Sequence, residues 1–389
     1  MRGATDPERR PRKDTWRERK GSHAMHIPDG YLSPSTCALG YALAAPFWSV
    51  ALERVKRLLQ TRLAPLLAAV SAFSFVVMMF NLPIPGGTTA HAVGMGIAAI
   101  ALGPWAAILA ISIALMIQAL FFGDGGVTAY GVNCLNMAII GSLVAYAVYQ
   151  AIAGRAPIGS ARRVVAGALA GYVAINAAAF AAGLEFGVQP LLFHDATGAP
   201  LYAPYPLSVA VPAMMLAHLT LAGLAEAIIT AGIVAYLQRA NPRLLQTTAM
   251  AAHDQASERE RIAAAGGWRG TRPLWIGLGV LMVACPLGLL AAGMAWGEWG
   301  TDDLQNPEVR QQITQASGNI APPEHVPAGM ERLASLWTAP MPDYAPPFMH
   351  DPNFGYIMSA VIGAGLIVLI FVALSWLLGR GPRSRERSA

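Results

Sequence analysis

The sequence predicts an all-α integral membrane protein, a seven-helix bundle followed by a C-terminal two-helix unit, with about nine transmembrane spans. Of its 389 residues, 55% are hydrophobic and only 13% are charged, whereas a soluble domain carries about 25% charged residues. The apolar residues run in segments near the length of about 20 residues that a helix needs to cross the hydrocarbon core. Basic residues collect in alternate connections between these segments, as in a multi-pass protein.

Nine apolar segments predict the spans, which cover 35–53, 64–81, 89–103, 105–122, 128–150, 163–183, 207–237, 273–293 and 354–378. The two segments that meet at Gly103-Pro104 are alternatively one broken helix. No early apolar run has the form of a cleavable signal peptide, so we expect insertion to rely on the first span.

The charge of the connections predicts the topology, because Lys and Arg in short loops stay in the cytoplasm. Basic residues collect in 54–62, 151–163, 238–272 and the tail 380–389. The connection 184–206 has none but carries Glu185 and Asp195, and 294–353 has two arginines against eight acidic residues. We therefore expect the stretch "MHIPDG" to lie outside and the C-terminus to lie in the cytoplasm.

Residues 1–24 conflict with this topology. They hold eight Lys or Arg against four Asp or Glu, a net charge of +4 within a whole-chain charge of +5. Such a segment resists translocation, yet the charge pattern puts it outside. We expect the mature protein to start at Met25, without this basic extension; alternatively, the first helix is oriented against its flanking charge.

Shifts in charge and composition divide the rest of the chain. The predicted regions are a membrane domain at 25–240, a cytoplasmic linker at 241–272, a two-span unit at 273–379 with an outer loop at 294–353, and a basic cytoplasmic tail at 380–389. Nine prolines in 300–353 argue against a long helix there. We expect an irregular cap or a partly disordered loop.

Met25 and His26 are the first candidate metal ligands. With Met25 as the first residue, its α-amine, the backbone nitrogen of His26 and the imidazole Nδ1 chelate one ion in a five-membered and then a six-membered ring. Tetragonal nitrogen ligation is typical of Ni(II) or Cu(II), with Co(II) lower in the affinity order. A fourth nitrogen must come from elsewhere in the chain.

His91 is the natural fourth ligand. It follows a Gly-Gly turn in "IPGGTTAHAVGMG" and stands at the predicted outer start of a span, on the same side as His26. Ionisable groups at membrane depth usually face a bundle interior or a site. The alternative for an isolated histidine here is a packed or interfacial side chain.

Three polar residues near another outer helix end are candidates for orienting the ligands: Asp124, Asn133 and Asn136. The two asparagines are three apart and share a helix face. Amides that orient a histidine ligand are plausible, as is a role for Asp29. Equally, such amides bond membrane helices to one another.

His218 and Glu226 lie eight residues apart, about two turns, and so near one face of a helix. We expect both to serve packing or coupling rather than metal ligation. The other histidines are expected to be solvated or outside the working chain: His23, His194, His253, His325 and His350. The cysteines form no CxxC pair and are expected to be buried thiols: Cys37, Cys134 and Cys285.

Several classes of function are disfavoured by missing motifs. No lysine stands in a GK[ST] motif after a Gly-rich loop, so ATP-driven work must be done by another subunit. No HExxH signature is present, and His218 with Glu226 has the wrong spacing for a zinc hydrolase. A membrane metalloenzyme and a purely structural scaffold are therefore the weaker alternatives.

Long motifs of the chain resemble the CbiM/NikM family, the substrate-binding membrane components of energy-coupling-factor importers for cobalt and nickel. They are "MHIPDGYLSP", "GGTTAHAVGMG", "GPWAAILAISIALMIQALFFGDGGVTAYGVNCLNM" and "AHLTLAGLAEAIITAGIVAYL", within about 25–240. The later stretch "PLGLLAAGMAWGEWGTDDL" is similar to the accessory two-span subunit of CbiN/NikN (PDGLE) type, here fused to the C-terminus.

This resemblance implies a metal held by the terminal amine and backbone nitrogen of Met25-His26, by the His26 ring and by the His91 ring. It also implies a transmembrane coupling subunit of CbiQ/NikQ type and two ATPase subunits of CbiO/NikO type. A peptide bond between Ala24 and Met25 would remove the amine, so the extension is the departure from the family pattern.

The expected protein is a non-enzymatic subunit of an ATP-driven importer in the bacterial plasma membrane. It would capture Ni(II) or Co(II) at the outer face as its substrate, with no catalytic cofactor, no nucleic-acid partner and the lipid bilayer around it. The alternatives are a solitary metal facilitator and a substrate-binding component for another small solute.

Overall fold

The computed structural model describes residues 26–59, 64–242, 244–245, 268–291, 293–346, 348–349 and 351–379. The basic extension, Met25, most of the predicted linker and the predicted tail therefore lie outside the described residues. The first part contains α1 (Pro34–Leu59), α2 (Ala64–Met78), β1 (Leu82–Ile84), β2 (Thr88–Ala90), α3 (Met95–Leu102), α4 (Pro104–Ile117), α5 (Tyr130–Asn133), α6 (Gly141–Ala153), α7 (Ala161–Gly187), α8 (Gln189–Leu192), α9 (Leu207–Ala217) and α10 (Gly223–Ala240). The second part contains α11 (Trp268–Ala284), α12 (Thr301–Gln305), α13 (Pro307–Ala316), α14 (Ala328–Leu333) and α15 (Pro352–Gly379).

The predicted all-α membrane fold is confirmed. In the part of the chain that the structure describes, seven helical segments are long and apolar enough to cross a membrane. The predicted span 64–81 corresponds to the shorter apolar helix α2, of 15 residues. The hairpin of β1 and β2 was not predicted; it pairs Leu82 with Ala90 and Ile84 with Thr88.

The predicted span 89–103 is helical over a shorter stretch than predicted. Strand β2 ends at Ala90, and α3 has only eight residues, which is about 12 Å of helix against a hydrocarbon core of about 30 Å. Gly94 begins this helix and Gly103 ends it, at φ angles of 76° and 78°, where residues with a Cβ are disfavoured. Pro104 then starts α4 in the first turn, where its missing N–H costs nothing.

Three π-helical segments interrupt the bundle: Gln118–Phe122, Cys134–Ile140 and His218–Ala222. A π turn holds an extra residue and therefore rotates the side chains that follow it; such turns are frequent at functional sites. Each of the three contains a polar residue of the site described below, namely Gln118, Asn136 and His218.

Helices α11 and α15 of the second part both pack on α2. Gly363 lets α15 approach closely, because a Cβ there would lie 2.1 Å from the ring of Phe75. Gly288 lies in the 3₁₀ segment Cys285–Leu290, where a Cβ would lie 2.2 Å from the carbonyl oxygen of Met79. The second part is thus joined to the first through close approaches of two glycines, one to a ring and one to the backbone, where a larger residue would not fit.

Residues 293–346, which we call the covering segment, lie over the end of the bundle that carries the β-hairpin. The segment folds into short helices, the longest of them α13 with ten residues, in keeping with its many prolines. Hydrogen bonds of Met330 N to Leu201 O (3.2 Å), Met341 N to Phe121 O (3.0 Å) and Tyr205 Oη to Ile320 O (3.1 Å) attach it to the first part.

Candidate metal site

The chain that follows Met25 turns back into the end of the bundle. Gly30, at φ 83°, makes this turn against the backbone of α14, where a Cβ would lie 2.6 Å from the Met330 carbonyl oxygen. Asn133 pins Ile27 with both ends of its amide: Oδ1 accepts from Ile27 N and Nδ2 donates to Ile27 O, each at 3.2 Å. Gly126 N adds a bond of 2.8 Å to the same carbonyl.

Asp29 fixes the same segment from the other side. Its carboxylate accepts hydrogen bonds from Val127 N (3.1 Å), Thr128 N (2.7 Å) and Thr128 Oγ1 (2.5 Å). A Cβ at Gly126 would lie 2.3 Å from Asp29 N, so this position requires glycine. Asp29 therefore holds the segment in place through the loop that precedes α5.

This docking brings His26 beside His91. Their ring centroids are 5.2 Å apart with an interplanar angle of 78°, and only 2% and 8% of the two residues is exposed. Both line a cavity of about 70 Å³. Within the described residues, no group of three or more His, Cys, Asp or Glu is arranged to hold a metal.

A chain of side-chain hydrogen bonds fixes the tautomer of His26. The Gln118 amide nitrogen donates to Tyr344 Oη (2.9 Å) and Asp124 Oδ2 (3.3 Å), so its Oε1 is the atom that accepts from His26 Nε2, at 3.2 Å. Since Nε2 donates, a neutral His26 ring carries its lone pair on Nδ1. That is the nitrogen that the predicted chelate requires.

Tyr344 completes this chain from the covering segment. Its hydroxyl donates to Asp124 Oδ2 at 2.5 Å. Burial, reinforced by the Asp124 carboxylate, raises the pKa of Tyr344 well above its usual range, so the donating proton stays in place. Asp343 and Tyr344 both have φ 56°, a left-handed backbone that is uncommon without glycine.

His91 is oriented through the backbone instead. Its Nδ1 donates to the carbonyl oxygen of Ala92 at 3.0 Å, which leaves the lone pair of a neutral ring on Nε2. The Glu226 carboxylate, fully buried, accepts from Val93 N (2.8 Å), Gly94 N (2.8 Å) and Gly96 N (3.0 Å). Glu226 thereby fixes the chain just after His91.

His218 and Glu226, eight residues apart, have different hydrogen-bond partners. The π-helical segment His218–Ala222 begins at the first of them, and Thr220 leaves helical geometry at φ −106°, ψ −106°. His218 lines the cavity and its Nδ1 donates to Met214 O at 2.8 Å, whereas Glu226 accepts from the turn before α3. The π turn interrupts the regular helical spacing on which a shared face was predicted, and their expected packing or coupling roles stay predictions.

Asn136 also lines the cavity, and its Nδ2 donates to Glu185 Oε2 at 2.6 Å. Glu185, predicted in a loop, lies instead within α7, which extends to Gly187. Among the other histidines, His194 and His325 are exposed, whereas three lie outside the described residues: His23, His253 and His350. All three cysteines are free and buried, as expected.

Comparison with known proteins identifies the first part of the chain. Residues 26–244 match the CbiM family, described as the cobalt uptake substrate-specific transmembrane region. The chain belongs to the CbiM family. In this CbiM-family chain, residues 271–380 also match the PDGLE domain. Both resemblances drawn from the sequence motifs are confirmed.

Two fused relatives match most of this CbiM-family chain. The fused nickel transport protein NikMN of Rhodobacter capsulatus is 59% identical over 88% of this chain and 95% of its own length. The probable fused nickel transport protein LarMN of Lactiplantibacillus plantarum is 41% identical over 90% and 96%. A crystal structure of a truncated transition metal transporter, 52% identical, covers 55% of this chain and 98% of its own, with a TM-score of 0.52. The prediction of a multi-pass transport protein rather than an enzyme is thus confirmed.

Two further groups of the site in this CbiM-family chain were missed from the sequence. Gln118 is fully buried; a glutamine inside "IALMIQALFF" was the signal that could have found it. Glu298 lines the same cavity as His26 and His91, and only 8% of it is exposed. Burial raises the pKa of Glu298 well above its usual range, and the charge of Asp124 raises it further.

Proposed function

We propose that this chain is the substrate-binding membrane subunit of an ATP-driven energy-coupling-factor importer for Ni(II) or Co(II). The observation that carries the proposal is the buried pair of imidazoles, with ring centroids 5.2 Å apart. Each ring presents one lone pair because a hydrogen-bond partner fixes its other nitrogen. Oriented neutral imidazoles are preferred ligands of such metals. The names of the fused relatives support nickel, and the description of the family supports cobalt.

The size of the cavity favours an ion over another small solute. Sites for organic ligands occupy about 300–1,000 Å³, whereas this cavity is about 70 Å³. Counted as the space open to the centre of a water-sized sphere, as here, one water needs about 10–15 Å³, so the cavity suits one ion with a few waters. The small-solute alternative is therefore disfavoured.

The ligands in this proposal are the α-amine of Met25, the backbone nitrogen and Nδ1 of His26, and the ring of His91. Met25 lies outside the described residues, and the proposal requires it to be the first residue of the mature chain. Asp29 and Asn133 keep the chelating segment docked, and Asn136 supports the cavity wall through Glu185. The predicted division at 25–240 and 273–379 stays a prediction.

Transport would require partners. A coupling subunit of CbiQ/NikQ type and two ATPases of CbiO/NikO type would drive the change that releases the ion toward the cytoplasm. The cavity would load from the outer face of the bacterial plasma membrane, with the C-terminus in the cytoplasm. The segment 26–30 is the natural part to move, since it has no helix of its own and is held by hydrogen bonds to Asn133 of α5 and to the loop before that helix.

Nickel binding to the purified chain in nanodiscs tests the ligands. We expect His26→Ala and His91→Ala each to weaken binding at least 100-fold, because loss of an outer partner of a ligand alone costs about 10–100-fold. His194→Ala, in an exposed loop, is the matched control and should bind as the wild type does. Stoichiometric tight binding in both variants would reject the proposal.

The terminal amine has its own test. A chain that starts at Met25 should bind nickel tightly, and one that retains residues 1–24 should not. Equal binding by both chains contradicts amine ligation. Uptake of radioactive nickel by cells that lack the coupling subunit and the ATPases would favour the solitary facilitator instead.

A further inference from the structure

We infer that Glu298, carried by the covering segment, is the anionic partner of the transported cation in the cavity of His26 and His91. The inference rests on the proposed function and deepens it, because it assigns the second part of the chain a group in the binding site. Four features of the structure support it.

The first feature is charge. A divalent cation brings two positive charges into a buried cavity, while neutral imidazoles contribute none. Among the described residues, Glu298 is the one acidic side chain that lines this cavity. Buried ions are tolerated when they are paired or when they coordinate a metal, so the cation and this carboxylate satisfy each other.

The second feature is the state of the carboxylate within the protein. Glu298 is more than nine-tenths buried, and among the described residues its Oε2 has no hydrogen-bond partner. A buried polar atom without a partner costs free energy that a protein rarely leaves uncompensated. Glu226 shows the contrast, since three backbone N–H groups satisfy that carboxylate.

The third feature is the backbone that delivers Glu298. Thr89 N donates to Met294 O at 3.0 Å, and Thr89 pairs with Ala295 in a parallel bridge. Thr89 stands two residues before His91, so the turn that carries Glu298 is attached to the same strand that leads to a proposed ligand. Glu298 N closes this turn by donating to Ala295 O at 3.2 Å.

The fourth feature is the packing around the turn. Gly297 has φ 85°, and a Cβ there would lie 2.7 Å from the ring of Phe186. The rings of Trp296 and Trp299 pack edge to face with their centroids 5.4 Å apart, and Trp296 Nε1 donates to Ser317 Oγ at 3.1 Å. The turn is therefore held on both sides, which fixes the carboxylate in the cavity wall.

Nickel affinity of the chain that starts at Met25, in nanodiscs and at one fixed pH, tests the inference. Glu298→Gln keeps the size of the side chain and removes its charge. We expect about 30-fold weaker binding or more, the usual effect of removing one partner of a buried charge pair. Glu298→Asp should lie closer to the wild type, and the control Glu324→Gln, at an exposed glutamate of the same segment, should equal it.

Thermal unfolding without nickel separates this role from a structural one. Glu298→Gln removes a carboxylate with an unpartnered oxygen, so its unfolding temperature should equal or exceed that of the wild type. Binding within threefold of the wild type, or a metal-free variant that unfolds several degrees lower, overturns the inference. If His26→Ala loses nickel while Glu298→Gln keeps it, this inference alone fails; if His26→Ala keeps nickel, the proposed function fails.

Discussion

The two histidines of the cavity stand on walls that are held in different ways. The His26 wall, residues 26–30 with Gln118 and Asp124, depends on side chains from separate segments, the last of them Tyr344 of the covering segment. The His91 wall, residues 88–96, depends on backbone N–H groups that one carboxylate, Glu226, holds together.

The two walls therefore differ in which parts of the chain hold each histidine in place. Three bonds from one buried carboxylate make the His91 wall part of the bundle itself. The His26 wall is completed only when the covering segment supplies Tyr344, whose partner Gln118 lies 226 residues away in the chain. A change in the second part of the protein therefore reaches the His26 ring through Tyr344 and Gln118. On the His91 wall it meets Thr89, through the bridge to Ala295, and leaves the Glu226 clamp in place.

Replacement of Glu226 by alanine should have the largest effect, because it removes the clamp of the His91 wall. Three backbone donors would lose their acceptor inside the bundle, and hydrogen bonds to charged groups contribute about 1.5–3 kcal/mol each. We expect the free energy of unfolding, measured by denaturation from mixed micelles, to fall by at least about 3 kcal/mol. Glu226→Gln keeps one acceptor oxygen, so the free energy of unfolding should fall less in this variant.

The matched control is Glu53→Ala, at an exposed glutamate of α1, which should unfold as the wild type does. Equal loss of stability in the Glu53 and Glu226 variants would contradict the assignment of a clamp to Glu226.

Replacement of Tyr344 by phenylalanine should have a smaller effect, confined to the His26 wall. The Tyr344 ring stacks on Phe122 at a centroid distance of 4.9 Å, and the phenylalanine ring should keep this contact. Gln118, however, loses an acceptor and Asp124 loses a donor. We expect nickel binding to weaken about 10-fold, the lower end of the range for an outer partner of a ligand. Nitrogen NMR of labelled histidine should show His26 divided between two tautomers.

Tyr236→Phe, on an exposed face of α10, is the control and should change neither readout. A Tyr344→Phe protein with unchanged affinity and a single His26 tautomer would show that the covering segment does not orient His26.

The smallest effect concerns pH at the covering segment. Burial, with Asp302 and Asp343 nearby, raises the pKa of Asp303 from 3.8 to about 6, while a hydrogen bond from Gly300 N opposes the shift. Because the folded state holds this proton more tightly than the unfolded state, its stabilising contribution is complete below pH 3.8 and is lost as pH rises through about 6. The hydrogen-exchange protection factors of residues 300–305, in which the intrinsic pH dependence of exchange is divided out, should therefore fall across that interval.

Asp303 lines one groove together with Asp29 and Gly126. Within the first part of the chain, the His26 wall should therefore be the first to respond to a loosening of α12. Asp303→Asn should remove the pH dependence of the protection factors. Protection factors that fall equally in this variant would assign the effect to another group.

The amino-acid sequence by itself determined the membrane fold, the membership of the family and the two histidines. Hydropathy and loop charge are properties of short segments, and the motifs around His26 and His91 are contiguous in the chain, so no tertiary information was needed. A π turn interrupts the regular helical spacing between His218 and Glu226, and Gly94 confines the helix of the predicted span 89–103 to Met95–Leu102.

Only the tertiary structure decided how the site is completed. Tyr344 and Asp124 are 220 residues apart, and Glu298 reaches the cavity through a bridge between Ala295 and Thr89. No local pattern encodes such pairs, because they depend on how the covering segment packs over the bundle. The physical reason is that a buried polar group is satisfied by whichever partner packing brings near, irrespective of its distance along the chain.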